Sequence, residues 1–369
     1  MRAKVAKKDL VPAVMRTVSI ADKKSVVPIL SHVLLEFTES GLRLKATDLD
    51  HSIIENVPAE VDTFGTTAVP ANTLNDIVRK APENATLEFS LLDKGSKIQV
   101  TAGKSKFEIS TLDHSDFPEI TMIKDACSFN IASPQLNRLI SRTKFSMSPE
   151  ESRHSLNGIY LHREENMLKA ASTDGHRLSV AQVETDMKES LNGVIISKKT
   201  VFEIKKLLDS FSGDVHVTFS TNQAQFDFGD IVFISKLVDG NFPDYKRVIP
   251  EATNLFFTVK RTDFLEIIDR VAIISDDKIR SVKLELNKNI LSCSAVNSKV
   301  GSGKDEVEVV YAGANWSAGF NANYLLDVAQ TLEGETLKVN IKESLSPAPI
   351  LITDESETGS LFVIMPMRV

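Results

Sequence analysis

The sequence has few residues of the kinds that cross-link a chain or anchor it in a membrane. Its two cysteines, Cys127 and Cys293, cannot build a disulfide framework and are too far apart for a Cys-X-X-Cys pair. No apolar run reaches the ~20 residues of a membrane-spanning helix, and the N-terminal residues lack the apolar core of a secretion signal. We therefore expect a reduced cytoplasmic protein without membrane contact.

Motifs for catalysis and for cofactors are also missing from the sequence. There is no glycine-rich phosphate loop, so the chain is not expected to hydrolyse ATP, and there is no Gly-X-Ser-X-Gly nucleophile motif. Six histidines are scattered without the spacing of metal ligands: His32, His51, His114, His154, His162 and His216. The sequence therefore predicts no metal and no cofactor, and the missing motifs argue against enzyme activity.

One sequence pattern occurs three times along the chain. Apolar residues at helical spacing follow Leu10, Leu136 and Phe264, which are 126 and 128 residues apart. The pairs Thr47-Asp48 and Thr173-Asp174 are again 126 residues apart. Because several segments recur in the same order at the same offset, we interpret the chain as three copies of one module.

Each copy is predicted to contain two helices and a set of alternating strands. The predicted helices are Lys7–Val18, Ala71–Lys80, Pro134–Phe145, Ser197–Leu208, Lys260–Val271 and Asn321–Leu332. Pro12 is expected in the opening turn of the first helix, because proline breaks a helix interior, and Ser133-Pro134 and Thr262-Asp263 are expected to begin later ones. We expect an α+β fold with two helices packed on antiparallel sheet in each of the modules 1–127, 128–254 and 255–369.

The charges are distributed unevenly between the predicted helices and the rest of the chain. The chain has 43 Lys and Arg against 50 Asp and Glu, a formal net charge of −7, yet the helices of the first two copies are net positive. Basic helix faces on an acidic body favour a polyanion bound against one surface. For any single helix, an ordinary solvated face remains the simpler explanation. Zinc-finger spacing is absent, which indicates binding without sequence recognition.

Three segments resemble a known family, the bacterial DNA polymerase III beta subunit or sliding clamp. They are Ala171–Leu178, Ser235–Tyr245 and the terminal Met365–Val369, and shorter matches are Pro28–Leu30, Phe145–Met147 and Leu156–Gly158. The resemblance covers the whole chain. It implies a non-catalytic processivity factor, a head-to-tail homodimer whose six modules close a ring around duplex DNA. The implied partners are the DNA polymerase III alpha subunit, the clamp-loader delta subunit and other proteins with a clamp-binding motif.

The resemblance also implies a pocket for short linear motifs between the second and third modules. Its residues would be Leu156, Thr173, Gly175, His176, Arg177, Leu178, Pro243, Arg247, Val248, Ile279, Asn321, Tyr324, Leu345, Val363, Ile364, Met365, Pro366, Met367 and Arg368. Ser155 and Ile279 stand where the family often has aromatic residues, which would alter the shape of the pocket. Deletion of Met365–Val369 is expected to abolish peptide binding and to leave the ring intact.

A dimer joint and DNA contacts are implied in the same way. The joint would contain Lys104, Lys106, Phe107, Ile109, Ile273, Ile274, Asp305, Glu306 and Glu308. DNA would be contacted by Lys24, Arg138, Arg142, Lys198 and Lys199. Replacing Ile273 and Ile274 together by alanine is expected to give monomers.

Two other functions stay open on the residues alone. Asp174 and His176 invite an acid–base interpretation, and thus a hydrolase, although a turn at Gly175 is the simpler explanation. A repeat scaffold could also bind proteins without DNA. Loss of turnover in His176→Ala would favour the hydrolase, and retention on circular but not on linear DNA would distinguish a clamp from a scaffold.

Overall fold

A computed structural model describes residues 1–92, 95–124, 127–187, 190–251, 255–276, 279–342, 348–354, 356 and 358–368. The predicted module boundary at Asn254 and the predicted pocket residue Leu345 lie outside the described residues. Within the described part of the chain, no helix has both the length and the apolar character needed to span a bilayer.

The same order of elements recurs in each copy: a strand, a helix, several strands, a second helix and a last group of strands. The first copy contains β1 (Arg2–Ala6), α1 (Lys7–Ile20), β2 (His32–Thr38), β3 (Gly41–Thr47), β4 (His51–Val57), β5 (Glu60–Thr63), β6 (Gly65–Pro70), α2 (Ala71–Lys80), β7 (Thr86–Leu92), β8 (Lys97–Ala102) and β9 (Ser105–Ser110). The second contains β10 (Cys127–Ala132), α3 (Ser133–Thr143), β11 (Gly158–Glu164), β12 (Met167–Thr173), β13 (Arg177–Glu184), β14 (Val194–Ser197), α4 (Lys198–Leu208), β15 (Asp214–Phe219), β16 (Gln223–Asp227) and β17 (Ile231–Lys236). The third contains β18 (Phe256–Lys260), α5 (Arg261–Ala272), β19 (Ser281–Asn287), β20 (Ile290–Asn297), β21 (Gly301–Glu308), β22 (Val310–Tyr311), β23 (Trp316–Asn321), α6 (Ala322–Thr331), β24 (Thr336–Asn340), β25 (Ile350–Asp354) and β26 (Ser360–Ile364).

The first of two compact units comprises Met1–Ser133 and Phe211–Leu237. It holds a five-stranded sheet in the order β5-β1-β7-β8-β9 and an eight-stranded sheet in the order β10-β15-β16-β17-β4-β3-β2-β6. Antiparallel pairing of β4 with β17 sets Ile53 opposite Phe233. Since β4 belongs to the first copy and β17 to the second, this sheet continues from one copy to the next.

The second unit comprises Pro134–Ser210 and Val238–Val369. Its nine-stranded sheet has the order β14-β11-β12-β13-β26-β25-β24-β18-β22, and its four-stranded sheet has the order β21-β20-β19-β23. Here β13 of the second copy pairs with β26 of the third, with Leu178 opposite Val363. The sequence repeat and the compact unit are therefore different divisions, because the large sheets run across the ends of the copies.

The six predicted helices are present, and two details of their first turns were predicted wrongly. Pro12 lies inside α1, five residues after its first residue. Both Pro12 and Lys8 are exposed, so the Lys8 carbonyl, which loses its partner N–H at Pro12, stays within reach of water. Thr262 does not cap α5, since that helix begins at Arg261 after Lys260.

A backbone bond explains why these helices need no side-chain cap. The first N–H of α1 donates from Lys7 to the carbonyl of Ala85 at 2.9 Å. The equivalent N–H of α5 donates from Arg261 to Glu335 at 2.8 Å. In both copies the acceptor lies just before the strand that pairs with the strand leading into the helix, so sheet pairing itself satisfies a donor that a capping residue would otherwise serve.

Apolar helix faces form the core of each copy. Helix α1 buries Leu10, Ala13, Val14 and Thr17, and α5 buries the equivalent positions from Phe264 to Val271. This spacing gives one continuous apolar stripe per helix. The α+β fold expected from the repeat is confirmed, with each helix pair packed on antiparallel strands.

Candidate functional site

The turn between β12 and β13 is built by two polar side chains. The Thr173 hydroxyl donates to the carbonyl of Arg177 at 2.6 Å and accepts from the N–H of Gly175 at 3.0 Å. Asp174 Oδ1 accepts from the N–H groups of His176 and Arg177 at 2.9 and 3.0 Å. Gly175 has φ 91°, a conformation that costs other residues about 1–2 kcal/mol. The sequence Thr-Asp-Gly thus specifies the turn.

The Arg177 side chain links this turn to segments of the third copy. Its Nε donates to Asp174 Oδ2 at 3.0 Å, and its Nη1 donates to Asp327 Oδ2 of α6 at 2.5 Å. Its Nη2 donates to the carbonyl of Phe145, and the guanidinium lies 4.4 Å from the ring centroid of Tyr324. Arg177 is 11% exposed, so this well-paired cation holds the turn in place.

This geometry does not support an acid–base role for Asp174 and His176. The Asp174 carboxylate accepts two backbone N–H groups and the Arg177 guanidinium, and it is 6% exposed. His176 is an exposed residue whose backbone carbonyl accepts from the N–H of Met365 at 2.9 Å. Both residues have structural roles in the turn and in the wall beside it.

A largely apolar cavity of about 220 Å³ opens beside the turn. Nine of the predicted pocket residues line it: Leu156, Thr173, Gly175, Arg177, Leu178, Pro243, Val248, Val363 and Met365. Two lining residues, Asp244 and Tyr245, were missed in the sequence, although they complete the Phe-Pro-Asp-Tyr segment that carries the family resemblance. The cavity has the size and lining of a site for an apolar side chain.

Aromatic residues support the wall formed by Pro243–Val248. The Tyr245 hydroxyl and His162 Nε2 are hydrogen bonded at 2.9 Å, and Phe242 stacks on Tyr160 with 4.9 Å between ring centroids. Burial raises the pKa of Tyr245 to about 12 and lowers the pKa of His162. Both shifts favour the neutral forms, so the hydrogen bond between the two groups buries no charge.

The other predicted pocket residues that the structure describes do not line the cavity. Ile364 is 0% exposed in the core of the third copy, so its side chain is unavailable to a ligand. Arg247 is 84% exposed and pairs with Asp244 at 2.8 Å, and Ile279 is 53% exposed. The rest are His176, Asn321, Tyr324, Pro366, Met367 and Arg368. Met367 donates its N–H to Gly319 at 2.9 Å, which fixes the chain after β26.

Two arginines of the predicted basic helix faces are turned inward. Arg142, predicted to contact DNA, has a side chain only 5% exposed, and its Nη2 lies 3.5 Å from a carboxylate oxygen of Glu333. Arg16 forms a bidentate ion pair with the buried Glu55 of β4. Both arginines thus form ion pairs within the fold, and a DNA contact of Arg142 stays a prediction.

The remaining predicted DNA contacts differ in how much their side chains reach water. Lys24 and Lys199 are exposed, and Lys198 is half-buried at the start of α4. Arg138 is half-buried and donates through Nη2 to the carbonyl of Thr358 at 2.6 Å. The exposed lysines are therefore the best placed of the set to meet a phosphate group.

The residues of the predicted dimer joint lie on two strands and after one helix. Among the described residues, β9 pairs only with β8, and β21 pairs only with β20. On β9, Phe107 is 39% exposed and Ile109 is 6% exposed. Ile273, after α5, is 76% exposed, whereas Ile274 packs on the core of its own copy.

The charged residues of the predicted joint are partly paired within the chain. Asp305 pairs with Arg270 at 2.7 Å, and Glu306 pairs with Lys304 at 2.8 Å. Those cations, as hydrogen-bond donors, hold the pKa of both carboxyl groups below the usual range. Lys104, Lys106 and Glu308 are exposed. Among the described residues, no cluster of His, Cys, Asp and Glu suits a metal ion.

Comparison with known families finds three adjoining matches. Models of the DNA polymerase III beta subunit match its N-terminal domain at residues 1–121, its central domain at 130–244 and its C-terminal domain at 246–368. The beta sliding clamp of Caulobacter vibrioides is 36% identical over 376 residues, with 100% of each chain covered. That of Escherichia coli K12 is 33% identical over 346 residues, covering 94% of this chain and 93% of its own.

Solved structures agree over the full length. The sliding clamp of Bartonella birtlesii, bound to griselimycin, has a TM-score of 0.95 at 36% identity, with 100% of each chain covered. A Caulobacter crescentus clamp, with PEG bound to a putative beta-motif tethering region, has a TM-score of 0.94 at 35% identity and the same coverage.

Proposed function

The chain belongs to the DNA polymerase III beta subunit family, and from this premise we propose how its parts carry out the work of a sliding clamp. It is a non-catalytic processivity factor of DNA replication, with DNA and a polymerase as partners. We assign the modules to 1–127, 128–254 and 255–369, a division supported by the three family matches. The cytoplasm, where replication takes place in bacteria, is the proposed location.

The edges of β9 and β21 that pair with no further described strand carry the proposal of a ring. An exposed edge invites pairing with another chain, and β9 and β21 each offer one. Exposed Lys104 and Lys106 at the first edge complement exposed Glu306 and Glu308 at the second. Two chains joined head to tail at both edges would close a six-module homodimer around duplex DNA.

The ring proposal is tested by retention on DNA. The protein, loaded by its clamp loader with ATP, is expected to stay on nicked circular DNA through gel filtration and to be lost when the circle is cut. Equal retention on both forms would contradict encirclement, and retention on neither would favour a protein-binding scaffold.

The different exposure of Ile273 and Ile274 allows a more specific test of the dimer joint. Ile273→Ala with Ile274→Ala is expected to give monomers by light scattering at low micromolar concentration, and Ile273→Ala should account for most of the effect, since Ile274 is packed within its own copy. Val26→Ala is a matched control, because Val26 is 96% exposed and lies outside the joint. A dimer retained in the double variant would rule out this joint.

The cavity beside Gly175 is the proposed partner site. An apolar side chain of a short motif would insert between Leu178, Pro243 and Val363, with Met365 adapting to different anchors. The DNA polymerase III alpha subunit, the clamp-loader delta subunit and other clamp-motif proteins would compete for it. Deletion of Met365–Val369 is expected to abolish binding of a labelled motif peptide while the dimer mass is kept.

A further inference from the structure

The partner cavity occupies one end of a longer sheet face. Side chains at alternate positions of a strand share a face, and Leu178 and Val180 of β13 lie opposite Val363 and Leu361 of β26. All four pack with Tyr245 in one apolar cluster. The face therefore continues past the cavity, along the same two strands.

Tyr245 also lines a second cavity, of about 560 Å³. Val180, Ile249 and Leu361 contribute its apolar part, and Glu164, Lys169 and Lys246 contribute its charges. The two cavities thus share a wall, the Tyr245 ring, and lie side by side on one face. Two residues of an extended chain advance about 7 Å, so a segment anchored in the first cavity reaches the second within a few residues.

The second cavity holds more positive than negative charge. Glu164 Oε1 lies 2.5 Å from Lys246 Nζ, and Glu164 Oε2 lies 2.6 Å from Lys169 Nζ. One carboxylate therefore serves two ammonium groups. Lys246 is 53% exposed, whereas Lys169 is 21% exposed. A further carboxylate entering from solvent would meet Lys246 first, and charge complementarity favours it.

We propose that this second cavity receives the flank of a partner segment, with an acidic residue of that flank paired to Lys246. The proposal rests on the partner site proposed above and extends it: the first cavity takes the apolar anchor, and the second discriminates between partners by the charge beside the anchor. Because Lys246 lines the second cavity and not the first, this discrimination acts on partners that share the same apolar anchor.

The test uses six fluorescein-labelled decapeptides with the same Leu-Phe anchor, in two sets of three. They carry Asp, Asn or Lys at the third residue from the anchor, in matched sets on its N-terminal and C-terminal sides. Anisotropy titration of the full-length protein is expected to give a Kd for Asp about 3–10-fold lower than for Lys on one side, as for a partly exposed ion pair. In Lys246→Gln the three peptides of that side should bind with one Kd.

Lys260→Gln is the matched control, since it removes the same charge from an exposed lysine that lines neither cavity. Any change it causes should be equal for the three peptides. A flank preference that persists in Lys246→Gln, or no preference on either side in the parent protein, would overturn the proposal. Failure of every peptide to bind, the Asn peptides included, would instead count against the partner site itself.

Discussion

The turns Thr47–His51 and Thr173–Arg177 have the same backbone and different surroundings. In the first, Thr47 bonds the carbonyl of His51 at 2.9 Å, and Asp48 Oδ1 accepts from the N–H of His51 at 2.6 Å. The second turn has the equivalent bonds. Leu49, at φ 76°, occupies the position of Gly175.

What differs is the side chain that leaves each turn. His51 stays beside Asp48, with 3.2 Å between Nδ1 and Oδ2, and stacks on Phe233. Arg177 extends from its turn to Asp327 and the Tyr324 ring. The repeat therefore preserves the backbone hydrogen bonds of the turn, while the binding site depends on which residues the last side chain of the turn contacts.

Removing the turn aspartate should separate the two turns most strongly. Asp174→Ala removes two backbone bonds and one of the two carboxylates that pair with the buried Arg177 guanidinium, which costs about 2–3 kcal/mol. Asp48→Ala removes the bonds that this carboxylate accepts from the N–H groups of Asp50 and His51, at about 1–2 kcal/mol. We expect a larger fall in thermal midpoint for Asp174→Ala, with loss of motif-peptide binding in that variant alone. Equal falls, or peptide binding kept by both, would show that the turns are interchangeable.

Exchanging the residues at the left-handed position should have a moderate effect. A Cβ at Gly175 would meet only Arg153 Nη1, at 3.8 Å, and Leu49 shows that the turn accepts leucine at a strain of about 1–2 kcal/mol. Gly175→Leu should therefore fold and weaken peptide binding about tenfold or more, because its side chain stands at the cavity rim.

Leu49→Gly is the reciprocal control for this exchange. Its release of strain is offset by about 0.5–1 kcal/mol of backbone entropy, so stability should change little, and peptide affinity should stay as in the parent. Parental affinity in Gly175→Leu, measured by anisotropy, would show that the rim position does not face the ligand.

Local patterns in the sequence predicted the elements well. All six helices were placed within two residues at each end, because apolar spacing records which face is buried. The turn at Gly175 was also predicted, since its hydrogen bonds join residues only two to four positions apart.

Properties that depend on distant partners were not visible in the sequence. Arg16 and Arg142 look like members of basic helix faces, yet each pairs with a glutamate from another element, Glu55 and Glu333. Tyr245 was missed as a lining residue because its position depends on His162, 83 residues earlier. Pro12 was misplaced because the rule on proline in helices omits the case of an exposed, water-accessible carbonyl.

The smallest predicted effect is a fall in peptide affinity at acid pH, and it again distinguishes the second copy from the first. The equivalent of His162 in the first copy is Glu36, 126 positions earlier. Glu36 forms an ion pair with Lys45 at 2.8 Å. Burial lowers the His162 pKa below its ordinary value of 6.5; nearby Glu164 opposes this, and Lys169 and Lys246 reinforce it. The folded state therefore favours neutral His162, and its contribution is full above pH 6.5 and falls as the pH drops below that value.

Protonation of His162 would disturb its bond to Tyr245 and the wall that both cavities share. Peptide affinity is therefore expected to fall about two- to threefold between pH 7.5 and 5.5, an effect of well under 1 kcal/mol. His162→Gln, which can still hydrogen bond the Tyr245 hydroxyl but does not titrate, should flatten that profile, while His51→Gln should leave it unchanged. If peptide affinity still falls with pH in His162→Gln, the acid sensitivity belongs to the peptide or to another group. The bond between His162 and Tyr245 would then have no role in the pH response.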